Sequence, residues 1–284
     1  MQRVKAYPLA SLRYSSRVVS ERASEVLIVI PTLGERIDFL GQALESIAQQ
    51  SISADIVVVT PEHQTQAQAL AQQFGASVLV DPGSLPGAIN LGVASANSNH
   101  KFVNWLGDDD LLTPESLRSC VNALNHNPKG VVAYGACQYI DDAGSQLWVS
   151  KAGKWADRIL AWGPDLIPQP GMLIRTHAWN QVGGVDPTLS HAFDLDLLLK
   201  LRAQGEFVSV DSVVSCFRWH PDSLTVSDRT KSLDESQAIK RRYLSPTQHR
   251  FKWLWEQPVR KATRIAAGRL NERAYRLSAA KSDG

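Results

Sequence analysis

Three adjacent carboxylates, Asp108, Asp109 and Asp110, follow Gly107 directly behind the apolar run 102–106. Carboxylates this close repel one another, and a surface turn rarely needs all three. A divalent cation offsets the repulsion. Mg2+ and Mn2+ take hard oxygen ligands, and Mg2+ commonly uses one or two carboxylates and fills its shell with water and substrate phosphates. The competing reading is a helix start, with the acids as N-cap and first-turn charges ahead of Pro114-Glu115-Ser116-Leu117. Placement at the end of a strand favours the metal and phosphate reading. Further on, Asp194 and Asp196 open a helical pattern, where a carboxylate either caps the helix or faces a ligand. Arg218 is a candidate phosphate contact. His220, taken alone, is a residue type more often structural than ligating.

These side chains need elements to hold them. Residues 26–30 are a continuous β-rich apolar run, as expected of a strand buried on both faces of a parallel sheet. Similar runs at 56–59, 77–80 and 102–106 alternate with helical patterns at 39–47, 67–74 and 88–96. The β-α-β-α-β-α-β order predicts a doubly wound α/β fold with right-handed crossovers. Ligands of such sheets bind beyond the carboxyl ends of the strands. Pro31-Thr32, Thr60-Pro61-Glu62, Asp81-Pro82 and the acidic triplet all lie at such ends and should converge on one cleft. Later, strands are expected at 131–134, 138–140, 172–174, 207–210 and 213–217, with a turn at 141–144 and a helix at 195–201.

Bulk properties restrict the alternatives. With 44% hydrophobic and 20% charged residues the chain is globular, and a net charge of +2 gives no reason to invoke nucleic acid. Cys120, Cys137 and Cys216 have neither disulfide-framework nor zinc-site spacing, and read as buried thiols of a reducing cytosol. Neither a secretory signal nor a run of apolar residues long enough to span a membrane is expected. The expected organisation is an N-terminal arm at 1–24, a core at 25–226 and a basic helical tail at 227–284. In the tail, Lys240, Arg241, Arg242, Arg250, Lys252, Arg260 and Lys261 are interleaved with Phe251, Trp253, Leu254 and Trp255. Two readings of it stay open: it rests on anionic headgroups, or it packs on the core or on a second subunit.

The segment 26–117 resembles the N-terminal half of family 2 glycosyltransferases of GT-A fold, of the bacterial surface-polysaccharide type. The matching pieces are Val29-Ile30-Pro31-Thr32, residues 42–47, Ala88-Ile89-Asn90-Leu91-Gly92, and 106–110 with Pro114 downstream. The resemblance implies a mixed, mainly parallel sheet flanked by helices, and a donor site that includes Pro31, Thr32 and Asn90. It implies that Asp109, with Asp108 or Asp110, holds Mn2+ or Mg2+ and the donor diphosphate, with Asp108 toward the ribose. Gly107 stands where the family often has its leading aspartate. The family's Asp-rich turn after the second strand is replaced by Thr60-Pro61-Glu62-His63, which leaves Glu62 to meet the base. Gly183-Gly184-Val185 followed by Phe193-Asp194 is similar to the glycine-rich turn and base-bearing helix of the family. This puts Asp194 at the position of the catalytic base. His220 falls where a family histidine often completes the metal site, and the resemblance extends over about residues 25–225. Gly171, after Gln169-Pro170, either lets backbone approach the donor sugar or makes a simple turn.

The implied activity is inverting transfer from a nucleoside diphosphate sugar to a saccharide or lipid-linked saccharide, in the cytoplasm or at the inner face of its membrane. Two rivals are a sugar-1-phosphate nucleotidyltransferase and a non-catalytic nucleotide-sugar-binding scaffold. The loop Pro31-Thr32-Leu33-Gly34-Glu35-Arg36 is a poor phosphate loop for the first, and the departures at Gly107, Thr60 and Phe193 motivate the second.

Overall fold

A computed structural model of the chain describes residues 24–150, 156–219, 229–254, 256–259, 261, 265 and 268. The expected arm lies outside these residues apart from Ser24, as do His220 and Trp255. The first half alternates β1 (Val26–Pro31), α1 (Ile37–Ala48), β2 (Asp55–Thr60), α2 (Thr65–Gln73), β3 (Ser77–Val80), α3 (Leu85–Ala94) and β4 (Phe102–Trp105). β1 pairs in parallel with β2 and β4, and β2 with β3, so the order at this edge is β3-β2-β1-β4.

The apolar run of β1 serves two cores at once. Val26, Ile28 and Ile30 face the α1, α2 and α4 side, whereas Leu27 and Val29 face the α3, α6 and α7 side. This is the period-two pattern of a strand with helices on both faces. Gly92 of α3 lies against Val29 so closely that a Cβ there would come within 2.3 Å of a valine methyl. The helix is thereby held tightly on the sheet.

The second half is antiparallel and parallel in turn. It comprises β5 (Leu111–Leu112), α4 (Ser116–His126), β6 (Gly130–Ile140), β7 (Gln146–Ser150), α5 (Ala156–Ile159), β8 (Leu173–Arg175), α6 (Thr176–Val182), α7 (Phe193–Arg202) and β9 (Glu206–Arg218). β8 lies antiparallel between β4 and β6, β9 runs parallel to β6, and β5 closes against β9. β7 folds back on β6 over the expected turn, where Ser145 N–H donates to Asp141 Oδ1 at 2.7 Å and Gly144 has φ +79°. Two pairs of short strands were expected here, at 131–134 with 138–140 and at 207–210 with 213–217. Each pair is instead one long strand. Both kink where Gly135 of β6 meets β9: the register shifts between Tyr134 and Ala136, and a Cβ on Gly135 would lie 2.6 Å from the Ser212 carbonyl.

The basic tail begins with α8 (Arg229–Arg242), followed by α9 (Pro246–Arg250). α8 packs on α7, and Ile239 is fully buried in the same core as Leu197 and Leu201. The first helix beyond the expected boundary at 226 thus packs on the core. Among the described residues no helix is long and apolar enough to cross a membrane.

Candidate functional site

The acidic triplet forms the turn between β4 and β5, closed by a hydrogen bond from Asp110 N–H to the Gly107 carbonyl at 3.1 Å. It does not cap α4, which begins only at Ser116, so the helix-start reading is set aside. Each carboxylate has its own support. Thr32, just past β1, donates its hydroxyl to Asp108 Oδ2 at 2.5 Å and accepts the Gly34 N–H at 2.9 Å. Asp108 Oδ1 and Asp109 Oδ2 both face the Arg36 guanidinium, at 3.0 and 2.7 Å. Asp110 is buried, and its Oδ1 accepts the Arg218 backbone N–H at 3.1 Å. Desolvation, with the charge of Asp109 next, pushes the Asp110 carboxyl well above the usual range.

Gly107 has a steric reason. A Cβ at that position would lie 2.9 Å from Asp110 Oδ2 and 3.0 Å from Asp109 Oδ1. Two carboxylate oxygens lie over the space that a side chain would take, so a residue larger than glycine would have to push them aside.

Three residues expected at the donor site make contacts within the protein. Arg218 is fully buried. Its Nε donates to the Asp109 carbonyl, Nη1 to the Asp141 and Asp142 carbonyls, and Nη2 to Gln42 Oε1, at 2.8–3.1 Å. Phe39 covers the guanidinium at 4.2 Å. These bonds tie Arg218 to the acidic turn. Asn90 clamps Val185, donating Nδ2–H to its carbonyl at 2.8 Å and accepting its N–H at 3.1 Å. Gly171 has φ +77°, and a Cβ there would lie 2.9 Å from the Val214 carbonyl, so the close approach is to β9. Pro31 ends β1 buried, and Glu62 stands exposed beyond β2.

The Asn90 clamp fixes the turn that leads into α7. Phe193 packs on Trp105 of β4 with ring centroids 6.3 Å apart, and Trp179 meets the same indole at 6.0 Å. Asp194 therefore starts its helix against the strand that carries the acidic turn. Its Oδ1 accepts the N–H of Leu195 at 2.8 Å, and desolvation raises its carboxyl above the usual range. Asp196 is buried: Tyr243 donates its hydroxyl to Oδ1 at 2.9 Å, and Lys200 lies 2.7 Å from Oδ2.

Sequence patterning missed two residues here. Asp165 stands exposed in the loop that leads to β8. Desolvation, then the nearby Asp194 charge, push its carboxyl up to about 7. Lys240 of α8 stands over the same region, donating to the Gly163 carbonyl at 2.5 Å. Glu235, also on α8, accepts the N–H groups of Ser190, His191 and Ala192 at 3.1, 2.6 and 2.7 Å. These donors immediately precede α7, whose N-terminus favours a negative charge. A local motif search could not find a cap supplied from so far along the chain.

Among the described residues no three metal-type side chains cluster in a ready-made site. Two convergent carboxylates still suit a cation that draws its remaining ligands from water and phosphate. A separate cavity of about 570 Å3 lies at the opposite ends of the strands, lined by His100, Lys101 and Arg175 among others.

Comparison with known proteins agrees with this architecture. Residues 27–183 match the family described as Glycosyl transferase family 2. An uncharacterized glycosyltransferase of Rickettsia bellii is 26% identical over 189 residues, or 62% of this chain. The chain spans 27% and 58% of the lengths of that relative and of a second one from Rickettsia prowazekii. Among solved structures, S. aureus TarS 1-349 in complex with UDP-GlcNAc superposes with a TM-score of 0.60 at 14% identity, covering 79% of this chain and 69% of TarS. The mannosyltransferase PcManGT from Pyrobaculum calidifontis, in complex with GDP-Man and Mn2+, gives 0.56 at 15% identity, covering 92% and 81%.

Proposed function

Because the chain belongs to glycosyltransferase family 2, we propose that it transfers a sugar from a nucleoside diphosphate sugar to a hydroxyl of a saccharide or lipid-linked saccharide, with inversion at the anomeric carbon. The observation that carries this reading is the convergence of Asp108 Oδ1 and Asp109 Oδ2 on one cationic group beyond the end of β4. Thr32 and Asp108, bonded to each other, face the ribose, and Glu62 faces the base. Asp109 and Asp108, with Asp110 behind them, would hold Mn2+ or Mg2+. The complexes of TarS with UDP-GlcNAc and of PcManGT with GDP-Man and Mn2+ support donors of this class. When bound, the metal would neutralise charge developing on the leaving diphosphate.

Asp194 is the proposed general base. It takes the proton of the acceptor hydroxyl as the oxygen attacks the anomeric carbon. Asp165 and Lys240 flank it, and the raised proton affinity of the carboxyl suits it to that task. Arg218, Asn90 and Glu235 act as positioning residues. The fragment Phe251–Leu254 leaves Phe251, Trp253 and Leu254 exposed beside Arg250 and Lys252. That combination supports contact with an anionic bilayer carrying a lipid-linked acceptor.

Calorimetric binding of UDP, GDP, dTDP and CMP compounds, with and without Mn2+, tests the donor site. One nucleotide should bind with metal and fail to bind to Asp109→Ala. Pyrophosphate release from a nucleoside triphosphate would point to the nucleotidyltransferase chemistry instead, and binding without transfer or hydrolysis to a scaffold.

A further inference from the structure

The loop between β1 and α1 brings a cation of its own to the acidic turn. Arg36 Nη2 lies 3.0 Å from Asp108 Oδ1 and Nη1 lies 2.7 Å from Asp109 Oδ2. The exposures are unequal. The Arg36 side chain is 41% accessible, against 10% and 16% for the two aspartates. The carboxylates are fixed in the protein, and the cation stands on their open side. Behind them are partners that cannot leave: the Thr32 hydroxyl on Asp108, and the Arg218 backbone N–H on Asp110. In front is a long side chain on a loop, which can.

We propose that Arg36 makes entry of the divalent ion conditional on the nucleotide. Its guanidinium takes the two carboxylate oxygens that the ion would use, and it exchanges them for phosphate oxygens when a nucleoside diphosphate binds. The inference rests on the donor-site reading above. An ion arriving alone must break two charge-assisted hydrogen bonds and approach the guanidinium charge. An ion arriving with a diphosphate meets neither cost. The phosphates neutralise both cations, and a guanidinium fork fits phosphate as well as carboxylate. Ion and nucleotide then raise each other's affinity by the same factor, as linkage requires.

The test is a Mn2+ titration of the full chain followed by electron paramagnetic resonance, which counts free ion and needs no turnover. It is run alone and with UDP, GDP or dTDP, on wild type, Arg36→Gln and Arg36→Lys, each first shown to be folded by circular dichroism. Arg36→Gln should bind Mn2+ alone about tenfold more tightly than wild type, the scale of one lost charge-assisted contact. It should lose most of the gain that nucleotide brings and bind metal-free nucleotide about as much more weakly. Arg36→Lys, which keeps the charge without the fork, should fall between the two. If Arg36→Gln binds Mn2+ alone no better than wild type, while nucleotide still draws Mn2+ into wild type, the gating role is overturned and the donor site stands. If no protein takes up Mn2+ with any of the three nucleotides, both are overturned.

Discussion

At the scale of single residues, the site is a set of carboxylates that differ in how firmly they hold a proton. Asp194 starts α7 with its carboxyl above the usual range, chiefly through desolvation. Acting as base, it must be ionised, so transfer should fall on acidification at a higher pH than a surface aspartate would give. Asp194→Asn should lower kcat by about 10^2–10^4-fold and leave nucleotide binding unchanged, measured by a radiolabelled transfer assay beside calorimetry. Near-normal turnover would remove Asp194 from the role. Asp165, which feels the Asp194 charge, gives a second reading. Between its ordinary value near ~3.9 and about 7, the folded protein holds a proton that the unfolded chain has released. Stability therefore declines as pH rises through that window. Asp165→Asn should raise the melting temperature at pH 8 and change it little at pH 4. A gain of the same size at both pH values would mean that charge is not the cause.

At the scale of elements, α7 carries Asp194 but does not position itself. Its start is gripped by the Asn90 clamp, by Phe193 on Trp105, and by Glu235. Desolvation opposes the Glu235 charge, yet three backbone N–H groups and the His191 side chain keep its carboxyl below the usual range. A depressed value stabilises the fold above the unfolded carboxyl's pKa, and this is lost as pH falls through the folded one. Glu235→Gln should cost about 1–3 kcal/mol at neutral pH in a urea titration, with the gap closing on acidification. It should also lower kcat more than it weakens nucleotide binding. No change in either would leave Glu235 a bystander. Much of this level was legible in the sequence. β1 to β4 and their helices follow from apolar periodicity, and the glycine after β4 marked the turn. The paired lengths of β6 and β9 were not legible, because Gly135 and Asp211-Ser212 look like chain breaks until the two strands lie side by side. Asp165 sits in a loop without a pattern. Arg36 looked like part of a poor phosphate loop, because its partners lie more than 70 residues away.

At the scale of the whole molecule, the described residues of the basic tail include some that pack on the core and some that stand exposed. Ile239 lies in the core, and Arg241 pairs with Glu256, whereas Trp253 is 69% exposed. Ile239→Ala should cost about 2–4 kcal/mol, and Trp253→Ala should leave the melting temperature within about a degree. The same Trp253→Ala, combined with Phe251→Ala, should reduce sedimentation with anionic vesicles, and undiminished sedimentation would refute bilayer contact there. Glu235 has one more consequence, which concerns the order in which the chain is made. Ser190, His191 and Ala192 precede their acceptor by 43 to 45 residues. At about 5–20 residues per second, a ribosome takes roughly 2–9 s to cover that interval, and β9 is made within it. A nascent chain ending before α8 would carry the acidic turn and Asp194 without the group that fastens the start of α7, so that fastening arrives late in synthesis.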